Sequence, residues 1–121
     1  MAKVKITTER EDFAGYRYGA KTRNIWFDLT FQEFITLGKQ ECFYCGVVPE
    51  TTRCALDSNT RKLKVVFRNG IDRLDNNQGY TPENCVPCCR WCNTMKLNMS
   101  IEDFFERVSR IYHLHIKDVA I

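Results

Sequence analysis

The sequence predicts a small α+β domain whose halves are tied together through cysteines. Three observations lead there. Two CxxC pairs, Cys42-Phe-Tyr-Cys45 and Cys89-Arg-Trp-Cys92, bracket the middle of the chain. Between them lie two β-type runs, Leu63 to Phe67 and Ile71 to Leu74, around Asn69-Gly70. Outside them, Thr30 with Glu33 and Ser100 with Asp103 are capping pairs that open stretches of helical hydrophobic period. At 121 residues there is room for one domain. Hydrophobic residues at 44% can build a core, but so short a chain buries proportionally little surface, so a staple is expected.

Composition excludes several classes. Lys plus Arg number 18 against 15 Asp plus Glu, a net charge of +3, which is mildly basic and unlike a histone-type tail. The opening MAKVKITTERED is mixed and polar, without the apolar segment of a secretion signal. No apolar run approaches the ~18 residues that span a bilayer. The expectation is a soluble, intracellular protein with no membrane partner, in a reducing compartment. There, seven cysteines, an odd number, point to metal binding rather than to disulfides.

The elements follow in order. Residues 1–12 read as polar and frayed. Residues 13–28 interleave Phe13, Tyr16, Tyr18, Ile25, Trp26 and Phe27 with Arg17, Lys21 and Arg23, as a helix followed by a short extended piece. Thr30 and Glu33 open a helix near 30–38 that buries Phe31, Phe34, Ile35 and Leu37 and stops at Gly38. After a turn-prone stretch to about residue 60, the runs on either side of Asn69-Gly70 read as a tight-turn hairpin. Residues 75–84 are loop by composition, a short strand covers Cys85 to Pro87, and the second cysteine pair leads into a helix. A C-terminal helix over 100–112 carries Ile101, Phe104, Phe105, Val108, Ile111 and Tyr112 at helical period. The chain is thus one domain, 1–121, with its core at 42–98. Five basic residues (Arg61, Lys62, Lys64, Arg68 and Arg73) cluster against the single acid Asp72. Such a strand suits a phosphate-bearing partner, or serves as a solvated edge.

Two CxxC knuckles supply what four thiolates need to close tetrahedrally on zinc, with Zn–S near ~2.3 Å. A thioredoxin-like site would need one CxxC at a strand-to-helix junction of an α/β sheet, and the order of elements here is wrong for it. Cys85-Val-Pro-Cys88 is itself a CxxC, so the second knuckle is ambiguous. Cys89 and Cys92 are preferred because Asn93-Thr-Met-Lys96 can open a helix. The last ligand then stands at a helix N-terminus, where the dipole favours thiolate. Cys54, Cys85 and Cys88 are expected as buried small hydrophobes.

With these residues assembled, the chain resembles the phage-type HNH endonucleases of the ββα-metal, treble-clef class. The matching blocks are Tyr18-Gly-Ala-Lys-Thr-Arg23, Leu29-Thr-Phe-Gln-Glu-Phe34, Cys42-Phe-Tyr-Cys-Gly46, Gly70-Ile-Asp-Arg-Leu-Asp75, Gly79-Tyr-Thr-Pro-Glu-Asn84, Cys89-Arg-Trp-Cys-Asn93 with Lys96, and Ser100-Ile-Glu-Asp-Phe104. The resemblance implies a zinc-stapled treble clef with flanking helices. It implies that Asp72 and Asn93 hold one catalytic divalent ion, Mg²⁺ or Mn²⁺, for which hard oxygen ligands are suited. Asn84 corresponds to the Asn that braces the active-site loop.

The departure is Arg73, where the family's general base is His. A guanidinium cannot accept a proton. His113 and His115 fall past the C-terminal helix and are read as surface residues. Some rare-cutting ββα-metal restriction enzymes are similar in carrying this Arg, with a Tyr inside the first knuckle as the proposed base or nucleophile. Tyr44 occupies that position. The catalytic set implied is therefore Asp72, Arg73, Asn84, Asn93 and Tyr44. Arg17, Arg23, Arg68 and Lys96 are the candidate nucleic-acid contacts.

The function expected is metal-dependent hydrolysis of DNA phosphodiesters. The partner is double-stranded DNA, with a homodimer suited to palindromic sites, in the cytoplasm of a bacterial or phage-infected cell. Two alternatives differ in class. One is a catalytically degenerate, zinc-containing nucleic-acid-binding domain. The other is a protein-interaction module of the LIM or RING sort, which a count of two zinc ions per chain would reveal.

Overall fold

Thr8 starts the first helix. Its hydroxyl accepts from the Glu11 N–H at 3.1 Å while the Glu11 carboxylate accepts from the Thr8 N–H at 3.3 Å, a reciprocal capping box. Helix α1, Glu9–Thr22, follows, with Glu9, Glu11 and Asp12 in its first turn. Those acids complement the positive end of the helix dipole. A computed structural model describes residues 4–56 and 63–118. Residues 4–12 depart from the frayed reading, because the polar run is a cap and the residues before it form a strand. Strand β1, Val4–Ile6, lies parallel to a partner some sixty residues later in the chain.

Thr30 and Glu33 form a second capping box that opens α2, Phe31–Gly38. The two helices pack through aromatic edges, with Phe13 and Tyr16 at 5.3 Å and 5.1 Å from Phe34 between ring centroids. Ala20, Leu29, Phe34, Ile71, Tyr80 and Cys85 form the buried core around this contact.

The strands make two sheets. Strands β2, Thr51–Leu56, and β3, Leu63–Phe67, are antiparallel, and β3 is central to a three-stranded sheet in the order β1-β3-β2. Strand β4, Gly70–Arg73, pairs antiparallel with β5, Cys85–Cys88. The hairpin expected at Asn69-Gly70 is therefore not formed, since β3 and β4 belong to different sheets. The reason lies in Asn69, which is buried. Its side-chain amide donates to the Gln40 and Val47 carbonyls at 2.8 Å and 3.2 Å, making it a crossing point rather than a turn tip.

After β5 come α3, Arg90–Lys96, and α4, Ile101–Ile111, the latter capped by the Ser100 hydroxyl. Strands β4 and β5 followed by α3 give the ββα order of a treble clef. Of the apolar stripe on α4, Phe104 is buried, whereas Phe105, Val108, Ile111 and Tyr112 are exposed. A wide π turn over Tyr112–Ile116 extends α4, with His113 and His115 exposed on it. Among the described residues, no helix is long and apolar enough to cross a membrane.

Candidate functional site

The first knuckle is a turn after α2. The Cys42 N–H donates to the Val47 carbonyl, and the Gly46 N–H to the Cys42 carbonyl, both at 2.9 Å. Gly46 has φ +80, a backbone state that side chains with a Cβ disfavour. The Phe43 N–H donates to the Pro87 carbonyl at 2.8 Å, binding the knuckle to β5. The second knuckle begins α3. Cys89 is its N-cap residue, and its sulfur accepts from the Cys92 N–H at 3.4 Å.

Together they gather the Sγ atoms of Cys42, Cys45, Cys89 and Cys92 within 4.8 Å of one another. The Cys45 and Cys89 sulfurs are 3.7 Å apart. Four sulfurs at ~2.3 Å from a tetrahedral ion would be about 3.8 Å apart, so this cluster fits a metal such as zinc. The thiols also lean apart in charge. For Cys42, burial raises the pKa but is outweighed by the backbone N–H groups of Cys89, Cys45 and Tyr44, leaving it at about 7. Burial and the neighbouring sulfurs of Cys89 and Cys45 push Cys92 up. A shared cation removes that conflict, because it lets all four ionise.

The ambiguity over the second knuckle is thereby resolved in favour of Cys89 and Cys92. Cys85 and Cys88 are buried, as expected of small hydrophobes. Burial pushes the Cys85 thiol up to about 12. Arg61 and Lys62 lie outside the described residues, as do the side chains of Cys54 and Lys64.

Beside the cysteine cluster opens a cleft of about 580 Å³. Asp72 and Arg73 of β4, Asn93 of α3, and Arg23 and Arg68 line it. Across from them, α1 contributes Asp12, Gly15, Tyr16 and Gly19. A Cβ at Gly15 or Gly19 would meet nothing within 4 Å, so the helix presents bare backbone to open space. That wall was legible only as a Gly-x-x-x-Gly spacing, which sequence reasoning did not use.

Asp72 is buried and accepts from the Tyr44 hydroxyl at 2.5 Å. The Tyr44 ring is held edge-on by Phe43, Phe104 and Phe105 at 5.0 Å, 5.4 Å and 6.0 Å, so α4 fixes its position. Burial, followed by the Asp72 carboxylate, pushes the Tyr44 phenol well above its ordinary range. Tyr44 is not a wall residue of the cleft, and meets the site through Asp72.

Lys96, expected as a nucleic-acid contact, is instead wholly buried, with Nζ 3.1 Å from Asp72 Oδ2. It follows Cys92 by one helical turn, and both side chains face inward. The pair is an ion contact without hydrogen-bond alignment, and Nζ has no aligned acceptor among the described residues.

Arg73 donates to the Asn76 and Gln78 carbonyls at 3.0 Å and 2.8 Å, with its guanidinium 5.3 Å from the Tyr80 ring centroid. Arg68 is paired bidentately with Asp12, one bond at 2.8 Å, and lies over the Tyr16 ring. Arg23 donates to the Tyr80 hydroxyl at 3.1 Å. Arg17 lies elsewhere, lining a groove on another face of α1. Asn84 is buried, and its side chain makes three bonds to the loop backbone. Nδ2 donates to the Asp75 and Gly79 carbonyls at 3.0 Å and 2.9 Å, and Oδ1 accepts from the Asp75 N–H at 2.9 Å. Gly79 belongs to the same closure, since a Cβ there would come 2.4 Å from the Trp26 carbonyl oxygen. Asp12 is a site residue that sequence reasoning missed, because its partner Arg68 is 56 residues away.

No family profile matches the chain. It is 34% identical over 98 residues to the uncharacterized protein R423 of Acanthamoeba polyphaga mimivirus. That match covers 81% of this chain, which spans 16% of the relative's length. Among solved structures the chain is similar to PacI, a rare-cutting HNH restriction endonuclease, with a TM-score of 0.59 and 22% identity. The superposition covers 88% of this chain and 80% of PacI. The likeness is one of fold, an HNH-like α+β domain.

Proposed function

We propose that the chain is a metal-dependent DNA endonuclease that hydrolyses phosphodiester bonds. The observation that carries this reading is the convergence of Asp72, Arg73 and Asn93 on the wall of one cleft beside a four-cysteine cluster. The similarity of the fold to that of an HNH restriction endonuclease supports it. In this reading the cysteine cluster holds structural zinc. Such thiolates persist in a reducing cytoplasm, which is where the protein would act. Asp72 and Asn93 would hold a catalytic Mg²⁺ or Mn²⁺ through oxygen. Asp72 Oδ2 is already engaged by Tyr44 Oη and Lys96 Nζ, so the fit rests on Asp72 Oδ1 and the Asn93 amide oxygen, both on residues of the cleft wall. When bound, the ion supplies charge neutralisation at the scissile phosphate and the departing 3′ oxygen.

The remaining chemistry falls to side chains. Arg73, oriented by the Asn76 and Gln78 carbonyls, offsets the charge that builds on the phosphate oxygens. Tyr44 serves as the base. A phenol held above its ordinary range is seldom ionised, but its proton has an acceptor 2.5 Å away. Tyr44 Oη therefore takes a proton from the attacking water while its own proton leaves along the Asp72 Oδ2 hydrogen bond to solvent, so that Asp72 remains ionised to hold the ion. Asn84 holds the loop that follows β4 and so keeps Asp72 and Arg73 in register. Arg23 contacts the phosphate backbone from the cleft wall, and Arg68, paired with Asp12, braces that wall. The products would carry 5′-phosphate and 3′-hydroxyl ends. A two-fold pair of chains is the arrangement that cuts both strands of a palindromic site.

The test is incubation of the protein with supercoiled plasmid, with and without Mg²⁺ or Mn²⁺, beside Asn93→Ala. Nicking or linearisation that needs added metal and is lost in the variant is the expected result. Cutting unchanged by Asn93→Ala would overturn the assignment of the site, and failure to cut plasmid or mixed genomic DNA would overturn the activity.

A further inference from the structure

Helix α1 has two polar faces. Residues 11, 12, 15, 16, 19 and 23 point into the cleft described above, whereas Ala14, Arg17, Tyr18 and Lys21 line a separate groove of about 610 Å³. The spacings 14, 17, 18 and 21 form one helical stripe, nearly opposite the first at 3.6 residues per turn. Asn24, at φ +56, reverses the chain so that Ile25, Trp26 and Phe27 make the other wall.

Three features of this groove are unexplained by the fold. Tyr18 is 70% exposed and Trp26 69%, so two large rings flank an open depression rather than a core. The backbone of Trp26 is fixed from behind, because its carbonyl accepts from the Tyr80 N–H at 2.8 Å and bare Gly79 packs against it. The lining carries Arg17 and Lys21 and no acid, whereas the catalytic cleft sets Glu11, Asp12 and Asp72 against three arginines. The groove is thus the more cationic of the two surfaces.

We infer that this groove binds a single-stranded segment of DNA, with at least one unstacked base against Trp26 or Tyr18 and its phosphates on Arg17 and Lys21. Exposed rings between cations are what sequence-tolerant single-strand binding requires, since every base offers a π-face and every linkage a charge. A fully paired helix hides those faces. The inference rests on the endonuclease reading for its choice of DNA, and it places on α1 a second contact behind the cleft. It would hold a strand unpaired on the side of α1 opposite the cleft.

Trp91→Phe leaves Trp26 as the sole tryptophan and its emission as the reporter. Without added divalent metal, an oligothymidylate should quench that emission and a fully paired duplex should not. By anisotropy of a labelled oligothymidylate, Trp26→Leu and Tyr18→Ala should each weaken binding roughly 5- to 100-fold. Lys21→Gln should reduce the salt slope by about 0.7. Unchanged zinc content in each variant establishes that the fold is retained. No quenching, or equal quenching by the duplex, overturns the inference. Plasmid cutting by the same Trp91→Phe protein reads the nuclease assignment separately. Cutting without quenching overturns the groove alone, and quenching without cutting overturns the nuclease alone.

Discussion

Lys96 Nζ lies 3.1 Å from Asp72 Oδ2, with the lysine wholly buried and the aspartate nearly so. The lysine thus supplies a positive charge at a carboxylate proposed to hold a divalent ion. Removing one partner of a buried pair leaves the other uncompensated, at a cost of about 3–5 kcal/mol. Lys96→Met should therefore lower the melting temperature markedly in metal-free buffer. Millimolar Mg²⁺ should recover more stability in the variant than in the parent, because a bound cation replaces the missing charge. Thermal melts of both proteins with and without Mg²⁺ measure this. Equal metal-induced shifts would show that the ion and the lysine do not share Asp72.

The zinc assignment predicts one ion per chain by elemental analysis. Two would be incompatible with the single four-cysteine cluster found among the described residues. Cys92→Ser removes one sulfur from a cluster of four, three of them on buried residues, that joins the knuckle after α2 to the start of α3. Structural zinc contributes directly to folding free energy. The variant, and the parent treated with a zinc chelator, should both lose cooperative unfolding, as read by circular dichroism during heating.

What could be read in the sequence is what is local. Thr30 with Glu33 and Ser100 with Asp103 announce helix starts because a cap spans only one turn. The four-cysteine cluster was legible because two CxxC knuckles offer the spacing that four thiolates need around one tetrahedral ion. Residues 4–12 misled because the strand there owes its existence to β3, far along the chain. Asn69-Gly70 misled because a tight turn and a buried crossing both favour Asn. The identity of the turn was decided by Gln40 and Val47, which offer carbonyls to the side chain. The inward aim of Lys96 was implicit in its four-residue spacing from Cys92, but its partner Asp72 is contributed by another element.

Cys85 gives stability a pH dependence whose sign can be worked out. Burial raises its folded-state pKa to about 12, while an unfolded thiol ionises near ~8.5. Below pH ~8.5 both states keep the proton and the contribution is fully present. Above it the unfolded chain releases a proton that the folded one retains, so stability falls as pH rises toward 12. At pH 10 the loss is roughly 2 kcal/mol. Denaturant titrations between pH 8 and 10 should show this slope in the parent, and Cys85→Ala should be flatter by that amount.

Tyr44→Phe separates the roles of ring and hydroxyl. The phenylalanine keeps the edge-on contacts with Phe104 and Phe105 that fix the knuckle against α4. It removes only the oxygen that donates to Asp72. Zinc content should be unchanged, and the lost hydrogen bond should cost about 1–3 kcal/mol. Metal-dependent plasmid cutting, by contrast, should fall about 10²- to 10⁴-fold, the usual contribution of a positioned acid–base group. The pH profile adds a second readout, since a variant without the relay should gain rate with hydroxide where the parent does not. Full activity in Tyr44→Phe would assign the proton transfer elsewhere and leave Tyr44 as a packing residue between the cysteine cluster and α4.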